Sequence, residues 1–256
     1  TWFVMDLAIR VSQGELFLDQ FATTQCGVLI VDEESGERTM KTRFEKLRKG
    51  YEGLPIYMQS LGGVKVTETN IDAIISFTKV NGVKIVIFDS FIRIHEGEEN
   101  DASSMSRVFS LLKRLNREDI AVILIHHHRK DTALRSSVSD QMRGSSDILA
   151  VVDSHLVIVR KQDDYLEIIH NKLRQDEEVK PFRVNIIKEG GGIKLEYGGE
   201  AEEEVSKKET LRATLKILLS REARPLYMAE ARKLLGEGGE TCGEKALREV
   251  VAADGG

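Results

Sequence analysis

The sequence predicts an α/β fold, a mostly parallel central sheet with an antiparallel extension, followed by a small helical unit. Three observations carry that prediction. Val28-Leu-Ile-Val-Asp32, Val83-Lys-Ile-Val-Ile-Phe-Asp89 and Ile120-Ala-Val-Ile-Leu-Ile125 are short, β-branched and almost wholly apolar, as strands buried on both faces must be. They alternate with stretches whose apolar residues recur at helical spacing, which is the pattern of a parallel sheet covered by helices on both sides. Beyond residue 150, strand-like runs follow one another with only polar turns between them, and these predict hairpins added to the sheet.

The elements follow in order. Phe3, Val4, Leu7, Ala8 and Val11 share one helical face, so a core helix starts at the first residue, and Gly14 suits its C-terminus. After the strand at 28–32, a helix is expected over Glu37 to Lys49, a short strand over Pro55 to Met58 and a helix over Ile71 to Val80. The strand at 83–89 leads to a helix N-capped by Asp101, on which Met105, Val108, Phe109, Leu112 and Leu115 align. The strand at 120–125 runs into His126-His-His128. Asp131 to Asp147 is polar and aperiodic, a long loop of the kind that often carries function. Strands are expected over His155–Arg160, Tyr165–Asn171, Phe182–Ile187 and Ile193–Tyr197, with Gly190-Gly-Gly192 as a hairpin turn. Residues 1–197 thus form one domain. Glycine and glutamate from Gly198 to Lys208 read as a linker, and 209–256 reads as three short helices over Leu211–Leu219, Met228–Leu235 and Glu244–Ala252.

Composition narrows the function classes. The net charge of -5 over 256 residues leaves no global basic signature, so any nucleic-acid contact must come from local patches. Cys26 and Cys242 lie far apart with no CxxC partner, which supports neither a disulfide framework nor a zinc site and suggests two buried thiols. No apolar run is long enough to span a bilayer, and a cytoplasmic location is expected.

Ligands of open parallel sheets bind beyond the carboxyl ends of the strands. Here those ends carry Asp32-Glu-Glu34, Asp89-Ser90 and the histidine triplet. Asp89, after its apolar run, has the form of an acid that holds the magnesium of a bound nucleotide. Glu34 stands just past its strand, where a carboxylate can activate water, with Asp32 and Glu33 as rivals. Consecutive histidines on an extended chain point to opposite sides, so they do not share one metal ion; a phosphate-sensing hydrogen bond suits them better. Lys172 and Arg174, two residues apart, leave a strand edge on the same side as a pair of cations able to reach the phosphates of a nucleotide on a neighbouring subunit. Thr1, opening a helix beneath such a sheet, stands where the hydroxyl residue follows GxxxxGK in a phosphate-binding loop.

Taken together, TWFVMDLAIRVSQGELFL, VLIVDEESGERTMKTRF, IVIFDSF, VILIHHHRKD, MRGSSDILAVVDSHLVIVRK and IIHNKLR resemble, in this order and spacing, the RecA-like P-loop ATPases of the RepA-type hexameric helicase group. The resemblance covers most of residues 1 to 197. It implies ATP and Mg²⁺ as ligands, Thr1 as the magnesium-ligating hydroxyl, Asp89 as the Walker B acid, Glu34 as catalytic glutamate and His126 or His127 as γ-phosphate sensor. It further implies that Arg129, Lys130 and Arg143 touch DNA, mainly single-stranded, in a central channel, and that Lys172 and Arg174 act across the interface of a homo-oligomer, a hexameric ring or filament. The glycine loop with its Walker A lysine is expected upstream of Thr1, and the 256 residues alone are expected to bind ATP poorly. Residues 209–256 resemble a winged-helix domain that stops before its wing. The implied function is an ATP-hydrolysing motor or switch acting on DNA. The alternative is an ATP-sensing regulator that reads DNA through the C-terminal unit.

Overall fold

The structure, a computed structural model, describes residues 1–47, 53–95, 102–126, 146–161, 164–174, 177, 179–201, 214–216 and 228–237. Four parallel strands, β1 (Gly27–Asp32), β2 (Ile56–Ser60), β3 (Val83–Asp89) and β4 (Ala121–Ile125), form one sheet in the order β2-β1-β3-β4. Their register pairs Asp32 with Ser60 on one side and with Asp89 on the other, and Asp89 with Ile125. All four carboxyl ends therefore finish in one row, the place where such a sheet leaves its ligand crevice.

Helices cover both faces of this sheet. On one side, α3 (Glu68–Asn81), the single turn α4 (Phe91–Ile94) and α5 (Ala102–Asn116) set Ile71, Phe91, Ile94, Met105 and Leu112 against Leu29, Val31, Val86 and Phe88. α3 starts before the predicted Ile71, because Thr67 accepts the Asn70 N–H at 3.2 Å and caps the helix three residues earlier. α4 was not predicted; one turn is too short to show a period. Asp101, the expected cap of α5, lies outside the described residues.

On the other side lie α1 (Trp2–Gln13) and α2 (Glu37–Leu47), whose Met5, Ile9, Met40 and Phe44 pack on Val28, Ile30 and Ile87. Gly14 ends α1 in the left-handed region, at φ 69°, and its N–H reaches Val11 O at 3.1 Å, as expected of a glycine past a helix end. The residues predicted to share one face of α1 divide between two cores. Ala8 and Val11 face the parallel sheet, Phe3 faces away from it, and Val4 and Leu7 touch both.

The second core of α1 is supplied by β5 (Ser154–Arg160), β6 (Tyr165–Leu173), β7 (Phe182–Glu189) and β8 (Gly192–Glu200), an antiparallel sheet in the order β5-β6-β7-β8. Among the described residues no ladder joins it to the parallel sheet, which corrects the expected extension to a separate sheet. It buries itself by stacking: Ile168, Phe182, Val184 and Leu195 meet Phe3, Phe17 and Leu18, with Phe3 and Phe17 edge to face at 5.0 Å. The layers of residues 1–201 are thus helices, parallel sheet, α1 and α2, then antiparallel sheet.

Gly190 and Gly191, both at positive φ, form the two-residue turn between β7 and β8, the geometry that the glycine run predicted. β8 continues to Glu200, so Gly198, Gly199 and Glu200, read from sequence as the start of a linker, belong to a strand paired with β7. Part of the predicted long loop is also helical: α6 (Ser146–Val151) begins at Ser146, and Ile148, Val151 and Val152 pack against the first core.

The chain divides into two compact units, 1–201 and 202–256. In the second, α7 (Met228–Glu237) matches the middle predicted helix and buries Ala231 and Leu235. Residues 214–216 are helical. The helix expected at Glu244–Ala252 and Cys242 lie outside the described residues. Cys26, expected to be a buried thiol, is half-buried; partial burial raises its pKa, opposed by the backbone and charge of Lys84.

Candidate functional site

The three acids at the end of β1 have different surroundings. Asp32 is fully buried, and its carboxylate accepts the N–H groups of Glu34, Ser35 and Gly36 at 3.3, 2.9 and 2.8 Å and the Ser60 hydroxyl at 2.6 Å. It therefore shapes the turn that leads into α2. Glu33 reaches the other way, accepting from Gly63 N at 3.0 Å and Val64 N at 2.9 Å, and so ties down the loop after β2. Glu34 alone of the three is exposed.

Asp89, at the end of β3, is 2% exposed. The Thr1 hydroxyl donates to its Oδ2 at 2.8 Å, joining the start of α1 to the tip of β3 across 88 residues of sequence. Its Oδ1 is buried and has no hydrogen-bond partner among the described residues, and the same holds for the neighbouring Ser90 Oγ. A buried carboxylate oxygen left so loses on the order of 1–3 kcal/mol of solvation unless a cation or water takes it. Such an oxygen beside a threonine hydroxyl is a hard-oxygen donor set that fits magnesium.

His126, just past β4, lies edge-on to Phe91 with ring centroids 6.0 Å apart, and Phe91 also packs on His95 at 4.8 Å.

Arg43 and Trp2 were not singled out in the sequence. Arg43 donates to Ser35 Oγ at 2.9 Å and stands over the Trp2 ring, 5.9 Å from its centroid. With Arg38, Thr39, Thr42 and Lys46 these two line a cavity of 320 Å³ between α1 and α2. The spacing of Arg38, Thr42 and Lys46, four residues apart on one helix, was the legible signal.

Thr1, Glu34, Asp89 and His126 thus stand at the start of α1 and at adjacent strand tips. Lys172 and Arg174 do not join them through any bond of the described residues: Lys172 Nζ donates to Leu149 O, and Arg174 Nη2 donates to Ala150 O at 2.7 Å, both at the end of α6. β6 is also an inner strand, although β7 pairs it only over Tyr165–Ile168, so its last residues lean on β5 alone. His127, Arg129, Lys130 and Arg143 lie outside the described residues. Among the described residues no cluster of histidine, cysteine and carboxylates gathers into a further metal site, and no helix is long and apolar enough to cross a membrane.

No curated protein matches this chain. Among solved structures, that of the RadB recombinase is similar, with 18% identity, over 69% of this chain and 80% of that one, at a TM-score of 0.45. The family model described as AAA domain matches residues 1–133, just over half of the chain, and spans Thr1, Glu34, Asp89 and His126. The chain belongs to this AAA domain family, within the RecA-fold P-loop ATPases.

Proposed function

We propose that the row of strand tips is the ATP site of a Mg²⁺-dependent, ATP-hydrolysing motor or switch that acts on DNA. The observation that carries this is the bond from the Thr1 hydroxyl to Asp89, whose second oxygen is buried without a partner among the described residues. Thr1 and Asp89 would hold the magnesium ion, which when bound neutralises charge developing on the transferred phosphate. Glu34 is the general base that orients and deprotonates the attacking water, because Asp32 and Glu33 are held in backbone hydrogen bonds and Glu34 is exposed. His126 senses the γ-phosphate at the tip next to Asp89. The cavity at Trp2 and Arg43 adjoins Thr1 and suits the nucleoside end of the same ligand, an aromatic ring beside cations.

Lys172 and Arg174 are the cations offered to a neighbouring protomer's nucleotide, which makes a ring or filament the working form. Contacts to DNA fall to Arg129, Lys130 and Arg143, and the second unit is a winged-helix-like appendage. The test is steady-state hydrolysis by the full-length protein. Turnover should require Mg²⁺, rise with single-stranded DNA and fall about 100-fold or more in Asp89→Asn. A folded full-length protein that hydrolyses no ATP, with or without DNA, refutes the proposal.

A further inference from the structure

Lys172 and Arg174 carry charges that their own chain already engages. Lys172 Nζ donates to Leu149 O and, at 3.5 Å, to Ala150 O. Arg174 donates through Nη2 to Ala150 O at 2.7 Å and through Nη1 to Asp153 Oδ1 at 3.0 Å. Leu149 and Ala150 lie in the last turn of α6, whose carbonyls have no intrahelical donors and attract cations. A backbone bond from Arg174 N to Asp153 O, 2.9 Å long, keeps Asp153 beside Arg174 whatever the guanidinium does.

Resting on the assignment of this pair to a neighbour's nucleotide, we propose that Asp153 is a positioning residue that holds the Arg174 guanidinium on α6 until a phosphate across a subunit interface displaces it. Relative strengths set the direction. The Arg174 and Asp153 side chains are 50% and 65% exposed, and an exposed ion pair of this kind is weak. A phosphate in a closed interface takes a guanidinium through two parallel charge-assisted hydrogen bonds, which are stronger. The clasp therefore yields to a correctly placed nucleotide, and breaking it offsets part of what Arg174 gains at the interface. Asp153 acts as a brake on the engagement of Arg174 across the interface.

The experiment is ATP turnover by the full-length protein over a range of protein concentrations. Asp153→Asn should raise kcat about two- to five-fold, most at concentrations where protomers are sparsely associated, with little change in KM. Asp153→Glu should turn over at the wild-type rate. In an Arg174→Gln background, Asp153→Asn should have no effect. An unchanged or lower rate in Asp153→Asn, while Arg174→Gln slows turnover, overturns the brake and leaves the finger assignment standing. An equal gain with and without Arg174 also overturns the brake. Arg174→Gln at the wild-type rate overturns both.

Discussion

Replacing Asp32 with alanine strands the N–H groups of Glu34, Ser35 and Gly36 and the Ser60 hydroxyl without their acceptor. The expected loss is about 3 kcal/mol of stability, read as a lower urea midpoint at unchanged slope. Glu34→Gln should leave that midpoint in place, because the Glu34 side chain is exposed. The sequence showed three adjacent acids and favoured Glu34 as the base, with Asp32 and Glu33 as rivals. It could not show where the other two carboxylates go, since that depends on the direction in which the chain turns after Asp32. Asp89 was more legible: a carboxylate ending a run of apolar strand residues has few roles, and in the structure it is 2% exposed with one oxygen unpartnered among the described residues. Arg43 was less so, because its significance depends on the Trp2 ring and Ser35 hydroxyl that only the fold brings to it.

At the scale of elements, α1 is the piece on which both sheets depend. Phe3→Ala opens the core against the antiparallel sheet, and Ile9→Ala opens the core against the parallel sheet. Each should destabilise residues 1–201 by about 3 kcal/mol or more, with both losses appearing in one cooperative denaturant transition. If Phe3→Ala changed stability by a few tenths of a kcal/mol, the antiparallel sheet would be a separately folding layer. The strands β1, β3 and β4 were legible because packing on both faces, only partial at the edge strand β4, leaves an apolar run with no alternation. The one-turn α4 and six-residue α6 were not, because neither completes two helical turns. The separate standing of the antiparallel sheet was hidden for a different reason. A strand paired at an edge and a strand stacked on a helix alternate in the same way, and Phe17 and Leu18, which decide the matter, sit in an irregular segment.

At the scale of the whole molecule, the proposed function divides catalysis between protomers. One chain would offer Glu34 beside Thr1 and Asp89, and its neighbour would offer Lys172 and Arg174. Mixing full-length Glu34→Gln with full-length Arg174→Gln should restore turnover that neither has alone, since about a quarter of interfaces in a random head-to-tail assembly would join an intact glutamate to an intact arginine. Turnover of the mixture equal to the mean of the two variants would place Arg174 in the service of its own chain. The most direct measurement of the central claim is ATP binding and ATP turnover by full-length Glu34→Gln in Mg²⁺. Binding should stay within about twofold of wild type while turnover falls by about 10² to 10⁴; turnover at the wild-type rate would contradict the assignment of Glu34 as the base at these strand tips.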